Sequence, residues 1–258
     1  MNRNTKYLLR IWIVTLAVVG PMVAFLTVSA MIALGPTHWW PYTVLFTLPV
    51  LFVGAMRLNK WIGDRRVRRL LRSESPEALV GLYAWTVWHA LIPDADAIMA
   101  HGRAFSYILY GEFDAARSAL RDIDWERRVP LICAQKHALG ALLCYLEAGQ
   151  YETGLEFARA AREMARVSPA FPGARMSADA YASYVEIGEI LCGDITEEKI
   201  ASLERKHRTL PTLSRLLIAW GLAAAYHKRG DHAKAESERR FIRDVAPHCR
   251  AITAPPVE

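Results

Sequence analysis

Cysteine is scarce in this chain of 258 residues, and its cysteines are not paired along the sequence. The four of them, Cys133, Cys144, Cys192 and Cys249, include no CxxC pair and no spacing typical of a metal site. Disulfide-stapled secreted domains and structural zinc sites use closer, more regular spacings. We therefore expect four reduced cysteines that pack as small apolar side chains, and no bound metal.

The common catalytic motifs are missing as well. The chain has no phosphate-binding loop, no nucleophile elbow and no dinucleotide-binding fingerprint. Each of these motifs places backbone N–H groups or a nucleophile at a fixed spacing, so its absence removes the main sequence evidence for that chemistry. We predict that the protein is not an enzyme and that it needs no cofactor.

Charge is absent from two long stretches near the start of the chain. Ile11–Leu34 and Trp39–Met56, of 24 and 18 residues, contain no Asp, Glu, Lys or Arg. A helix that crosses a membrane needs about 20 predominantly apolar residues. The second stretch opens with Trp39, Trp40 and Tyr42, and such aromatic side chains favour the headgroup layer. We predict a two-helix membrane anchor over residues 1–56.

Acidic residues are equally scarce at the start, where ten Lys and Arg stand against Asp64 alone in the first 72 residues. The predicted spans have no basic residue between them, whereas basic residues precede the first and follow the second. Because cytoplasmic flanks carry the excess of Lys and Arg, we expect both termini and the domain behind the spans to be cytoplasmic, at an inner or plasma membrane of bacterial type. A cleaved signal peptide that ends at Val28-Ser29-Ala30 is the alternative.

Residues 57–75 form a basic juxtamembrane segment. Its charges suit a flank that sets topology, and they also suit an anionic membrane surface, where each Lys or Arg contributes roughly 1 kcal/mol. The residues concerned are Arg57, Lys60, Arg65, Arg66, Arg68, Arg69 and Arg72. The rest of the chain holds 22 basic and 25 acidic residues, so we do not expect a nucleic-acid partner.

Turn glycines recur through the rest of the chain. A first helix is expected from Ser75-Pro76-Glu77 to about Leu91, because a hydroxyl followed by proline is typical of a helix start. Behind it, each of four glycines follows an apolar run and precedes a charged amphipathic one, at spacings of 38, 44 and 37 residues; they are Gly111, Gly149, Gly193 and Gly230. A period in this range predicts an all-α solenoid of about four helical hairpins over residues 76–250, followed by a disordered tail, residues 251–258.

The detail of these hairpins resembles the tetratricopeptide repeat (TPR) family over about residues 94–248. An aromatic residue lies four positions before the turn glycine and a small residue five after it, best seen in Leu222–Ala235. The matching positions are Tyr107, Tyr145 and Tyr226 before the turns, and Ala116, Gly154 and Ala235 after them. The unit at Gly193 departs from the pattern with Glu189 and Glu198, so it is either a degenerate repeat or a plain hairpin.

Three groups of polar residues invite a chemical interpretation. Asp94 and Asp96 near His101 might bind a metal, but acidic residues at this place more often favour a helix N-terminus. Glu186 and Glu189 lie one helical turn apart, as on a solvated helix face. The histidines at positions 227, 232 and 248 are too loosely spaced for zinc.

The resemblance implies a partner-binding groove lined by the first helix of each repeat. The positions that correspond to it are His101, Phe105, Lys136, Leu139, Trp220 and His227. Apolar residues at helical spacing also suit a core, so both interpretations stay open. We expect a membrane-anchored scaffold or adaptor that binds proteins. The alternatives are a structural or assembly subunit of a larger membrane complex, and a small-molecule-binding sensor.

Overall fold

The structure is a computed structural model that describes residues 61–90, 94–168 and 174–254, with the side chains of residues 85–90 and 148 excepted. The chain divides into two compact units, Met1–Arg65 and Arg66–Glu258. Both predicted membrane spans lie outside the described residues. None of the described helices is both long and apolar enough to cross a membrane.

The described residues are helical and contain no strand, which confirms the all-α prediction for this part of the chain. Residues 61–70 are helical. The next helix starts where the sequence predicts, and the backbone N–H of Glu77 donates to Ser75 Oγ at 3.2 Å. A π-helical turn, Cys144–Ala148, prolongs the helix that ends at Leu143. The helices that follow residues 61–70 are α1 (Glu77–Ala90), α2 (Ala95–Tyr110), α3 (Phe113–Arg121), α4 (Pro130–Leu143), α5 (Tyr151–Arg166), α6 (Ala174–Leu191), α7 (Glu197–Thr209), α8 (Thr212–Lys228), α9 (His232–Val245) and α10 (Arg250–Thr253).

The four predicted turn glycines separate successive helices, and all of them adopt a positive φ. Gly111 has a φ of 81° between α2 and α3, and Gly193 a φ of 101° between α6 and α7. Glycine reaches this left-handed region at no steric cost, so a helix can end there and the chain can reverse. Gly149 and Gly230 do the same for the other two hairpins.

The helices of the second unit pack in a repeating order. Each of α2, α4, α6 and α8 touches the next member of that row, while α3, α5 and α9 pack beside α2, α4 and α8. This order is compatible with a helical solenoid. The pair α6–α7 packs sparsely, and α7 lies mainly against α8. Glu189 and Glu198 occupy the positions where the other hairpins have a tyrosine and a small residue, so this pair lacks the apolar side chains to close it.

Small residues let the hairpins approach each other closely. Tyr145 is buried between α5 and α6, and its hydroxyl donates to the Tyr184 carbonyl at 3.2 Å. A Cβ at Gly154 would lie 2.4 Å from the ring of Tyr145, and one at Gly188 would lie 2.1 Å from its hydroxyl oxygen. The small residues at 116 and 235 are fully buried at the corresponding places in their hairpins.

Both ends of the second unit extend past the predicted domain limits. Leu71, in the predicted juxtamembrane segment, is fully buried, and Tyr110 Oη donates to the Ser73 carbonyl at 2.8 Å. At the other end, α10 (Arg250–Thr253) reaches into the segment predicted as a tail. Ile252 is buried, so apolar packing holds α10 against α2, α8 and α9. Residues 255–258 are not among those described.

Candidate functional site

Three of the six predicted groove residues are buried. Phe105 on α2, Leu139 on α4 and Trp220 on α8 are 5%, 1% and 3% exposed. All three lie on the row of helices that the resemblance assigns to the groove. Their burial leaves little of these side chains free to contact a partner directly, and the core interpretation accounts for them without one.

The other three predicted groove residues are more accessible. His101 is half-buried and stacks on Phe105, with 6.1 Å between the ring centroids. Its burial lowers the pKa of the imidazole to about 4, so His101 is neutral at pH 7. Lys136 and His227 are exposed, and the His227 ring lies 5.4 Å from that of His232. A partner that uses this face would therefore meet Lys136 and His227 first.

A cavity of about 630 Å³ opens where the first and last segments of the second unit meet. Its apolar wall includes Phe113, Leu146 and Trp220, and the π-helical turn forms part of it. Acidic and basic residues also line the cavity. The full lining is Glu74, Tyr110, Gly111, Glu112, Phe113, Tyr145, Leu146, Trp220, His248, Arg250, Ala251 and Ala254.

Most polar groups of this cavity are satisfied, because the hydroxyls of Tyr110 and Tyr145 donate to backbone carbonyls and the charged side chains are largely exposed to solvent. The indole Nε1 of Trp220 is buried and has no hydrogen-bond acceptor. Neither the two glutamates, Glu74 and Glu112, nor the two basic residues, His248 and Arg250, form an ion pair with any described residue. Buried N–H groups are normally hydrogen-bonded, so the unpaired indole is an exception that needs an explanation.

Asp94 and Asp96 do not form a metal or acid–base site. Arg128 Nη1 donates to Asp94 Oδ1 at 2.6 Å, and Arg128 Nη2 pairs with Asp96. Both aspartates lie at the N-terminus of α2, as their sequence position indicates, with Asp94 at the N-cap position and Asp96 in the first turn. Asp94 has a φ of 66°, and its side chain makes no capping hydrogen bond. The guanidinium neutralises the Asp94 carboxylate, which is 4% exposed. The role of this pair is to fix the start of α2 to the segment before α4.

Glu186 and Glu189 do not form the freely solvated face expected for them. They lie in the cleft between α6 and α7, where Lys206 Nζ approaches Glu186 Oε1 to 2.8 Å and Lys199 Nζ approaches Glu189 Oε2 to 3.1 Å. Ser202 Oγ also donates to Glu186 Oε1, at 2.9 Å. Each carboxylate has its own cation, so the two do not share a proton as a catalytic pair would. They join the sparsely packed pair of helices by charge.

No group of three metal-binding side chains occurs among the described residues. The four cysteines are free, and Cys192 is exposed rather than packed, contrary to expectation. Of the seven basic membrane-surface residues, Arg57 and Lys60 lie outside the description. In the first unit, the Arg65 guanidinium lies 3.7 Å from the centroid of the Trp61 ring. In the second, Arg66, Arg68, Arg69 and Arg72 are exposed.

Comparisons with protein-family models, with curated proteins and with solved structures found no match to this chain. The chemistry must therefore be inferred from its own residues. Sequence reasoning singled out Trp220 and His248, but it missed the cavity that both of them line. Glu74, Gly111, Trp220 and Arg250 come from four distant parts of the chain, and no local pattern signals that they meet.

Proposed function

We propose that this protein is a membrane-anchored interaction scaffold whose helical unit binds a protein partner. The observation that carries the proposal is the row of helical hairpins with turn glycines at positive φ, interlocked through small residues. Stacked hairpins of this kind present extended surfaces and bind through them. The charged groups in the described part of the unit support this view, because the two acidic pairs that invite a chemical role are already neutralised by basic side chains.

The membrane part of the proposal is supported by the two charge-free stretches, Ile11–Leu34 and Trp39–Met56, and by the basic segment behind them. Anchoring concentrates a weak binder at the bilayer, so that a modest affinity suffices for recruitment. With basic flanks on both sides of the spans, the helical unit belongs in the cytoplasm. Reporter fusions after His38 and after Arg72 test this: a translocated reporter at the second site contradicts the orientation.

The partner-binding face is best tested at its accessible residues. Trp220→Ala is a poor test, because truncation of a buried aromatic side chain costs about 3–5 kcal/mol and threatens the fold. Lys136→Glu and His227→Glu change exposed side chains on α4 and α8. The matched control is Arg240→Glu, an exposed change on α9. Exposed substitutions of this kind usually change stability by less than about 0.5 kcal/mol.

The assay is affinity purification of the full chain in mild detergent, with quantitative comparison of the recovered proteins. We expect soluble partners to be lost with Lys136→Glu or His227→Glu and kept with Arg240→Glu. If all three variants recover the same partners in the same amounts, this face is not the binding surface. Recovery of membrane proteins alone, unchanged by any of the variants, would instead indicate an assembly subunit joined through the spans.

A further inference from the structure

Helix α7 is held in place by few apolar contacts. Within the described chain, Ile200 and Leu203 are the two buried residues among its 13, whereas α8 buries twelve of its 17. The hydrophobic effect is roughly proportional to the apolar area removed from water, so it contributes little to the position of α7. The helix lies mainly against α8 and touches α6 sparsely, although α6 is its partner in the hairpin.

Ion pairs and a polar hydrogen bond join α7 to α6 instead. Lys206 Nζ lies 2.8 Å from Glu186 Oε1, which also accepts from Ser202 Oγ, and Lys199 Nζ lies 3.1 Å from Glu189 Oε2. The four charged side chains are between 19% and 22% exposed. Because they keep this contact with solvent, their attraction weakens as the ionic strength rises.

A cleft of about 450 Å³ runs along these ion pairs. Its lining includes Ala182 and Val185 of α6 and Ala201 of α7, beside the charged residues. Well-packed helices leave few voids larger than a water molecule between them. Since the cleft already separates much of α7 from α6, a full separation of the two helices would expose little additional apolar surface.

The rest of the helix row does not depend on α7. Helices α6 and α8 pack directly on each other, since a Cβ at Gly221 on α8 would lie 2.6 Å from Ile187 Cγ1 on α6. The Lys228 ammonium at the end of α8 donates to the Leu191 carbonyl at the end of α6, at 2.7 Å. The contact between α6 and α8 can therefore persist while α7 moves.

We propose that α7 is an ionic latch, a helix that detaches from α6 as a unit when its ion pairs are screened, while α6, α8 and α9 stay folded. Segments that open separately from the rest of a protein are those with few buried apolar contacts. Detachment uncovers Glu186, Glu189 and the buried Val185, so this face of α6 becomes accessible only in the open state. The latch is independent of the membrane anchor and of the protein-binding face, so either proposal can fail without the other.

Hydrogen–deuterium exchange of the full chain in mild detergent, followed by mass spectrometry, tests the latch. We expect the backbone amides of α7 to exchange about threefold or more faster in 1 M than in 0.1 M NaCl, because the Debye length falls from about 10 Å to 3 Å. The amides of α8 are the internal reference and should keep their rates. If the exchange of α7 does not depend on salt, the proposal is overturned. It is also overturned if α7 exchanges at the rate of α8, since α7 would then open only with the whole unit.

Two neighbouring variants on α7 distinguish the ion pair from a general loss of charge. Lys206→Gln removes the cation of Glu186, so the exchange of α7 in 0.1 M NaCl should become about tenfold faster and less dependent on salt. Arg205→Gln is the matched control, because Arg205 is exposed and forms no ion pair with a described residue. Lys, Arg and Gln have similar helix propensities, so the control should keep the parent's rate and salt dependence. Equal exchange of α7 in the two variants would contradict the latch.

Discussion

Replacement of Gly188 by alanine tests the close packing of α5 and α6 around Tyr145. In an open helix interior this change would stabilise the protein by about 0.5–1 kcal/mol. Here the new Cβ would lie 2.1 Å from Tyr145 Oη and 2.9 Å from its Cζ. Neither helix can yield easily, because the tyrosine is buried between them, and overpacking of a core costs about 1–3 kcal/mol. We expect a net loss of about 1–2 kcal/mol.

Thermal unfolding of the full chain, followed by circular dichroism, measures this loss. For a unit of this size, 1 kcal/mol corresponds to about 2–4 °C in Tm, so Gly188→Ala should melt about 2–8 °C lower. Gly140→Ala is the matched control on α4, since its Cβ would lie 3.4 Å from the Phe157 ring, in ordinary contact. That variant should be neutral or slightly stabilised.

A double-mutant cycle shows whether the tyrosine hydroxyl is the cause. Tyr145→Phe alone should cost about 1 kcal/mol, because it removes the hydrogen bond to the Tyr184 carbonyl. In the Tyr145→Phe background, Gly188→Ala should lower the free energy of unfolding by clearly less than it does in the parent. The difference between the two losses is the coupling energy of the pair, which is about 0.5–3 kcal/mol for residues in contact. A Gly188→Ala variant as stable as the parent, or a coupling of zero, would refute the packing described.

Three further predictions concern charge, pH and thiol chemistry. Arg128→Met should destabilise the protein by about 3–5 kcal/mol, because it leaves the buried Asp94 carboxylate without its cation. The control Arg127→Met changes a side chain that is 83% exposed and should have little effect. Equal Tm values of the two variants in a thermal melt would contradict this. Burial lowers the pKa of His207 to about 4, so the imidazole binds a proton more readily in the unfolded chain than in the folded one. The free energy of unfolding should therefore fall as the pH drops from about 6.5 towards 4, and it should fall less steeply in His207→Gln. Identical pH profiles of the two proteins would contradict this. Burial raises the pKa of the Cys249 thiol to about 12, so iodoacetamide at pH 8 should label the exposed Cys192 and spare Cys249, as peptide mass spectrometry can verify; labelling of Cys249 in the native protein would refute its burial.

The helices and their turns could be predicted from the sequence because their signals are local. A glycine between an apolar and an amphipathic run is enough to predict a reversal, and Ser75 with Pro76 is enough to predict the start of α1. The small residues after the turns were equally readable. Gly188, by contrast, lies outside the repeat pattern. Its importance depends on where the ring of Tyr145 lies in three dimensions.

The roles of the charged residues could not be predicted, because their partners are far away in the chain. The Asp94 carboxylate pairs with Arg128, 34 positions later, and this partner replaces the expected helix cap. Glu186 finds Lys206 only after the chain has reversed at Gly193. The cavity depends on residues that are even further apart in the sequence, since α10 brings Arg250 close to Gly111, in the turn after α2. Such contacts follow from tertiary packing, which a local pattern does not contain.

Carbonate extraction of membranes that contain the full chain tests the proposed anchor most directly. Extraction at high pH strips peripheral proteins and leaves those that cross the bilayer. We predict that the full chain stays in the membrane pellet and that removal of residues 1–56 releases the remainder into the supernatant. A full chain recovered in the supernatant would contradict the anchoring on which the proposed scaffold depends.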